Sequence, residues 1–264
     1  MTNSPDQNGA SSAIEVANFA GDDLAELARA RSEAINLVQW PARVAYSYVT
    51  SGVPERRTDL EFRVADVALV TRPFADGVAL EIRLPDLHLQ FLHNGKAVPH
   101  VFDPQERSPA EAEAWILVEL LHRGIDREKF SKKLPYAIPG LLTGDAEDYA
   151  PQACRKGLIQ LTDWFGKATA VLEAGARARG LDKADIICLP QTLDLTLAPL
   201  AGATSIPLGF SPGDTDNPEP YFYTGGAANP ASPKRPRTIV SGSKLLAQGD
   251  AVRAAATLLK MAAA

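Results

Sequence analysis

Cysteine is scarce here, with only two in 264 residues. Cys154 and Cys188 stand far apart and form no C-x-x-C pattern. That is the usage expected of reduced, buried thiols rather than of a catalytic cysteine or a disulfide. A basic excess is also missing, since 27 Lys and Arg face 32 Asp and Glu for a formal charge of −5. This argues against a nucleic-acid partner, which calls for a basic stripe or patch. The local cluster Lys234, Arg235 and Arg237, set among Pro233 and Pro236, reads as a solvated loop rather than a phosphate site. No apolar run approaches the ~20 residues that span a bilayer. Met1 to Ser12 is polar and lacks the cationic-then-apolar layout of a secretory leader. A cytoplasmic protein with no membrane partner is the expectation.

Histidine is almost as rare. His88, His93, His100 and His122 occur without H-E-x-x-H or H-x-H spacing, so no metal site is expected at them. The absence of a zinc motif leaves a carboxylate site for a hard cation open. There is no glycine-rich phosphate loop, no repeat at a solenoid period, and nothing that identifies a cofactor.

What is present is the alternation of an α+β protein. Residues 1–21, rich in Ser, Asn, Gly and Ala, read as a flexible N-terminal segment. Residues 22–264 read as a single domain, with a loop over 226–243 and a C-terminal helix over 244–264 whose clearest stretch is Asp250 to Met261. A helix is expected after Gly21, favoured by Asp22 and Asp23 at its positive end and kinked or stopped at Trp40-Pro41. Val44 to Val49 fits either a further helical turn or a strand.

From Leu60 to Phe102 the apolar period becomes two, as in strands with one buried face. The pattern runs into Asn94-Gly95, a hairpin-turn signal, giving an antiparallel meander. A two-residue turn there pairs Phe91 with Val98, Leu89 with His100 and Leu87 with Phe102. In that register His88 and His100 point to opposite faces, and His100 sits on the apolar face as a hydrogen-bonded core histidine. Pro99 makes the returning strand an edge.

Ser108-Pro109-Ala110-Glu111 combines a capping box with proline at the first helical position. Ala114, Leu117, Val118 and Leu121 form the stripe of the helix that follows, which Gly124 ends. A long amphipathic helix is expected from about Pro151 to before Gly180, with Leu158, Leu161, Phe165, Ala168 and Leu172 inward. One of Gly157, Gly166 and Gly175 should permit close packing. Ile186 to Leu189, Leu193 to Leu197, Ser205 to Phe210 and Tyr221 to Tyr223 read as strands, with a Pro/Asp-rich loop from Ser211 to Pro220.

Gly209-Phe210-Ser211-Pro212-Gly213 matches the G-x-S-x-G nucleophile elbow letter for letter. That chemistry needs a backbone N–H after the serine, a following helix and a downstream histidine. Pro212 has no N–H, a proline-rich loop follows, and no histidine lies beyond Ser211. The match is a turn. The carboxylates of Asp194, Asp214, Asp216 and Glu219 are more suggestive. If their strands pair, they converge beside Tyr221 and Tyr223, where like charges raise one another's pKa as acid/base pairs require. Aspartates in such loops also cap turns through their side chains. The candidate pocket is therefore Tyr136, Asp194, Asp214, Glu219 and Tyr221.

Four segments carry a resemblance. Leu134 to Pro139, Leu189-Pro190-Gln191-Thr192-Leu193-Asp194, Ser211 to Asp214 and Glu219-Pro220-Tyr221-Phe222-Tyr223 resemble, in order and spacing, a bacterial family known only as a domain of unknown function. That family carries an L-P-Y-x-x-P-like segment, a W-P-H-H-F-D-like or W-G-S-F-D-like strand and an S-P-G-D…E-P-Y-x-Y-like ending. The resemblance spans about residues 24 to 225 and implies an amphipathic first helix, a small antiparallel sheet and a long helix. Gln191 and Thr192 stand where some relatives carry histidines, so no metal or general-base role transfers to them; Asp194 keeps the aspartate. Two readings follow. One is a small-molecule-binding or interaction protein without conventional catalytic machinery. The other is an enzyme acting on a small molecule through carboxylate acid/base or hard-cation chemistry at Asp194, Asp214 and Glu219.

Overall fold

The computed structural model describes residues 21–52, 54–181, 185–197, 206–225 and 237–263; residues 1–20 of the expected N-terminal segment, most of the 226–243 loop, Lys234 and Arg235 lie outside them. Helix α1 (Gly21–Tyr48) continues past Pro41 instead of ending there. An interior proline costs a helix about 3 kcal/mol. Burial on both sides of it is the offsetting term. Leu37, Val38 and Trp40 precede Pro41 in the core and Val44 and Ala45 follow it, while the Trp40 indole donates to the Tyr149 hydroxyl at 2.9 Å. The ambiguous stretch after Pro41 is thus helix up to Tyr48.

Among the described residues, ten strands form one open antiparallel sheet. They are β1 (Leu60–Arg63), β2 (Ala68–Val70), β3 (Val78–Arg83), β4 (Leu89–His93), β5 (Lys96–Ala97), β6 (Ile186–Leu189), β7 (Asp194–Leu197), β8 (Leu208–Ser211), β9 (Tyr221–Thr224) and β10 (Thr238–Ser241). Their order, β10-β9-β8-β7-β6-β1-β2-β3-β4-β5, makes two meanders that meet where β1 pairs with β6. The α+β expectation holds. Strand β10 and helix α4 (Gly242–Leu246) occupy part of what reads as a loop in sequence, and α5 (Ala251–Ala263) closes the described chain. β10 escapes the periodicity because it is an outer strand with both faces partly open, so its composition carries no buried-face signal.

Helix α3 (Arg155–Ala178) packs on α1 and on the sheet, preceded by a 3-10 turn at Pro151–Cys154. All five residues expected on its inner face are buried. Gly157 is the close-approach glycine, since an added Cβ would lie 2.2 Å from the Glu26 carbonyl oxygen of α1. Helix α2 (Pro109–His122) has the expected capping box, with Ser108 and Glu111 bonding reciprocally. Its inner face is not the expected one. Ala112, Ile116, Glu119 and Leu120 are buried, while Val118 and Leu121 are about half exposed. A glutamate on the buried face hides the helix's true phase from an apolar count.

The Asn94-Gly95 turn forms as expected, with φ of 51° and 76° and the pairs His93↔Lys96 and Leu92↔Ala97. Two residues beyond Val98 the register changes. Leu89 pairs with Phe102, not with His100. Pro99 has no N–H for the ladder, and His100 adopts φ of 72°. The chain bulges there and carries His100 out of the sheet. His100 is not a core histidine; its side chain is 66 % exposed and turns toward α2.

Candidate functional site

The acidic end of the sheet is built by pairing. β7 and β8 align Leu195 with Phe210, and β8 and β9 align Ser211 with Tyr221 and Gly209 with Tyr223. Phe210 and Phe222 face the helices, where Phe210 stacks on Trp164 and meets Phe165 edge-on. By the strand period of two, Asp194, Ser211, Tyr221 and Tyr223 share the other face.

Asp194 is 1 % exposed. Its carboxylate accepts from Arg237 at 3.0 Å and from the hydroxyls of Ser211 and Tyr223. Burial pushes this carboxyl up, and Arg237, Ser211 and Tyr223 pull it only part of the way back. The Arg237 guanidinium also lies 4.0 Å over the Tyr223 ring, a cation–π contact. Arg237, expected in a solvated loop, is therefore a structural counter-ion.

Asp214 caps its own loop, accepting from the amides of Asp216 (2.9 Å) and Asn217 (2.7 Å) and from the Tyr221 hydroxyl (2.6 Å). Partial burial works against its charge, but these bonds outweigh it and hold the carboxyl below the ordinary range. Glu219 binds Ser241 at 2.9 Å, and Ser243 more closely still, tying the loop to β10 and α4. Tyr136 belongs to a different cluster, where its hydroxyl donates to Gln39 of α1 at 3.1 Å and the Gln39 amide donates to the Pro190 carbonyl at 2.8 Å. Of the five residues of the sequence-derived pocket, Asp194, Asp214 and Tyr221 thus share one chain of hydrogen bonds, while Glu219 and Tyr136 belong to others. Asp194 and Asp214 are linked only through Ser211 and Tyr221. Ser211 is 2 % exposed, a buried hydrogen-bonding hydroxyl.

At the opposite edge of the sheet a cavity of about 770 Å³ opens between the β4–β5 hairpin, the end of α2 and the end of α1. Val78, Val98 and Ile125 supply apolar wall, and His100, Glu119, His122 and Arg123 supply the polar side. Tyr48 closes one flank, stacked on Phe74 at 5.5 Å and donating to the Asp126 carbonyl at 3.0 Å. Burial pushes its phenol up to about 12, so it stays a neutral donor. The turn after α2 is shaped by Gly124, at φ 65°, which lets Ile125 turn back into the cavity.

Sequence reasoning missed this site. The usable signals were Glu119-x-x-His122, which sets two donors on one helical face, and Pro99, which foretells an interrupted ladder. No family model matches the chain, and no curated protein or solved structure matches it either.

Proposed function

We propose that the protein is a small-molecule-binding protein whose ligand occupies the cavity between the β4–β5 hairpin and α2. The observation that carries this reading is the cavity's composition. An apolar wall of Val78, Val98 and Ile125 faces a few convergent polar groups around Glu119, the usual make-up of a pre-formed ligand site. Its volume, about 770 Å³, is within the range of such sites, roughly 300–1,000 Å³. The ligand that fits is amphipathic, with a polar head toward His100 and His122 and an apolar body along Val98 and Ile125.

The acidic loop supports a structural role instead. Asp194, Asp214 and Glu219 each accept hydrogen bonds from neighbours within the fold, which makes carboxylate chemistry there the weaker reading. The resemblance to a family of unknown function bears on segment order and adds no chemistry.

Val98→Trp tests the proposal. Val98 is half-buried on the cavity wall, so the larger ring would fill ligand space. A thermal-shift screen of small amphipathic compounds should yield hits whose stabilisation disappears in this variant. Hits that stabilise wild type and variant equally would place binding elsewhere.

A further inference from the structure

We infer that His100, Glu119 and His122 form a binding site for a divalent transition-metal ion, open on one side to the cavity. The inference rests on the same cavity as the small-molecule reading and adds to it an anchor for a ligand's oxygen or nitrogen donor. It begins with Glu119, which is 2 % exposed and faces inward from α2. Arg123, one turn on, donates to its Oε2 at 2.8 Å and to its carbonyl at 2.6 Å. Arg123 is itself fixed 4.5 Å over the Phe91 ring. One carboxylate oxygen is therefore held by Arg123, and the other is turned outward to the two histidines.

That outward oxygen, Oε1, lies 3.2 Å from His100 Nδ1 and 3.5 Å from His122 Nδ1. The three donor atoms fall within 4.8 Å of one another. The His100 contact is a hydrogen bond at the long end of the usual range, about 2.7–3.2 Å, and the His122 contact lies beyond that range. They are close to the spacing of adjacent ligands around a tetrahedral ion. Bonds of roughly 2.0–2.1 Å place neighbouring ligand atoms about 3.3 Å apart.

The three donors come from two separate local devices. Glu119 and His122 share a helical face by their i, i+3 spacing. His100 arrives from the bulge, held at φ 72°. A non-glycine residue in that region costs the chain of order 1–3 kcal/mol, and such strain gathers at functional sites. The ring centroids of His100 and His122 stand 6.2 Å apart, leaving room between them. Two imidazoles and one carboxylate favour zinc, iron, cobalt or nickel over magnesium and calcium, which prefer all-oxygen shells. Three protein ligands with a free fourth position are the arrangement of reactive or ligand-accepting sites rather than of closed structural ones.

The test uses the full chain, stripped with a chelator and titrated with Zn²⁺ by calorimetry and with Co²⁺ by visible absorption. The expected result is one saturable site with the intense visible bands of four-coordinate cobalt. His100→Ala and His122→Ala should each weaken binding at least tenfold. Both side chains are more than half exposed, so the variants should fold, and their chelator-treated melting curves check this. His88→Ala, a histidine outside the cluster, should bind as wild type does. Failure to saturate at millimolar ion would overturn the inference, as would unchanged binding in the His100→Ala/His122→Ala double variant. Because no organic ligand is present in this titration, its failure would leave the small-molecule reading standing. Metal binding without any compound hits would have the reverse meaning.

Discussion

The Tyr223 ring lies directly over Gly209, and it reaches Asp194 because Gly209 has no side chain. Tyr223 leaves β9, crosses β8 at the glycine and places its hydroxyl on the carboxylate of β7. A Cβ on residue 209 would stand 2.1 Å from the ring's Cζ. Gly209→Ala should therefore displace the ring and destabilise the fold by about 1–3 kcal/mol, the usual cost of overpacking. The check is urea denaturation of Gly209→Ala, Tyr223→Leu and the double variant. The double variant should cost less than the sum of the singles, because the clash is relieved once the ring is gone. Strict additivity would mean that the ring does not depend on the glycine.

Asp194 and Arg237 give a pH-dependent prediction. The folded chain holds the Asp194 carboxyl above its unfolded value because burial penalises the charge. For a raised carboxyl, the stabilising linkage is fully present below the unfolded pKa, about 3.9, and is lost as pH rises through the folded pKa. Arg237→Ala removes the counter-ion and raises the carboxyl further. The loss near neutral pH should be roughly 2–4 kcal/mol. That is below the about 3–5 kcal/mol for breaking a fully buried pair, because the Arg237 side chain is 35 % exposed and water replaces part of it. The deficit should shrink on acidification toward pH 4, read as the difference in denaturation midpoints. A deficit independent of pH would show that Arg237 acts by packing alone.

Much of this architecture is legible in the sequence, and the exceptions have physical causes. The strands around Leu80, the Asn94-Gly95 turn, the Ser108–Glu111 cap and the α3 stripe each carry a local signal that tertiary structure respects. α2 was out of phase because Glu119 is buried against expectation, with Arg123 as its partner. The hairpin register failed where Pro99 and His100 bulge. Those two failures fall on one cavity. Local rules tend to break where a protein builds a site, and neither break shows in composition. Arg237 escapes a local reading for another reason: its partner lies 43 positions away, and no local pattern encodes that pairing.

Gly95→Val probes the turn that launches the bulge. Gly95 sits at φ 76° with open space around an added Cβ, so its cost comes from the backbone alone. A β-branched residue there should destabilise by about 1–2 kcal/mol, measured as a lowered denaturation midpoint. An unchanged midpoint would contradict a requirement for positive φ at this position.

Ser211 should be inert. Its hydroxyl is buried between Asp194 and Tyr221, and Pro212 removes the N–H an oxyanion would need. A fluorophosphonate probe should leave the native protein unlabelled in mass spectrometry, whereas stoichiometric adduct at Ser211 would overturn this.

On the proposed function, ligand binds in the cavity beside Glu119 and the acidic loop serves as scaffold. The most direct measurement is methyl NMR of the full chain titrated with a compound that raises its melting temperature. Saturable shifts are expected at the Val78, Val98 and Ile125 methyls, which line the cavity, with Leu195 of the Asp194 strand unmoved. Shifts centred on Leu195 and its neighbours, with the three cavity methyls silent, would contradict the proposed function.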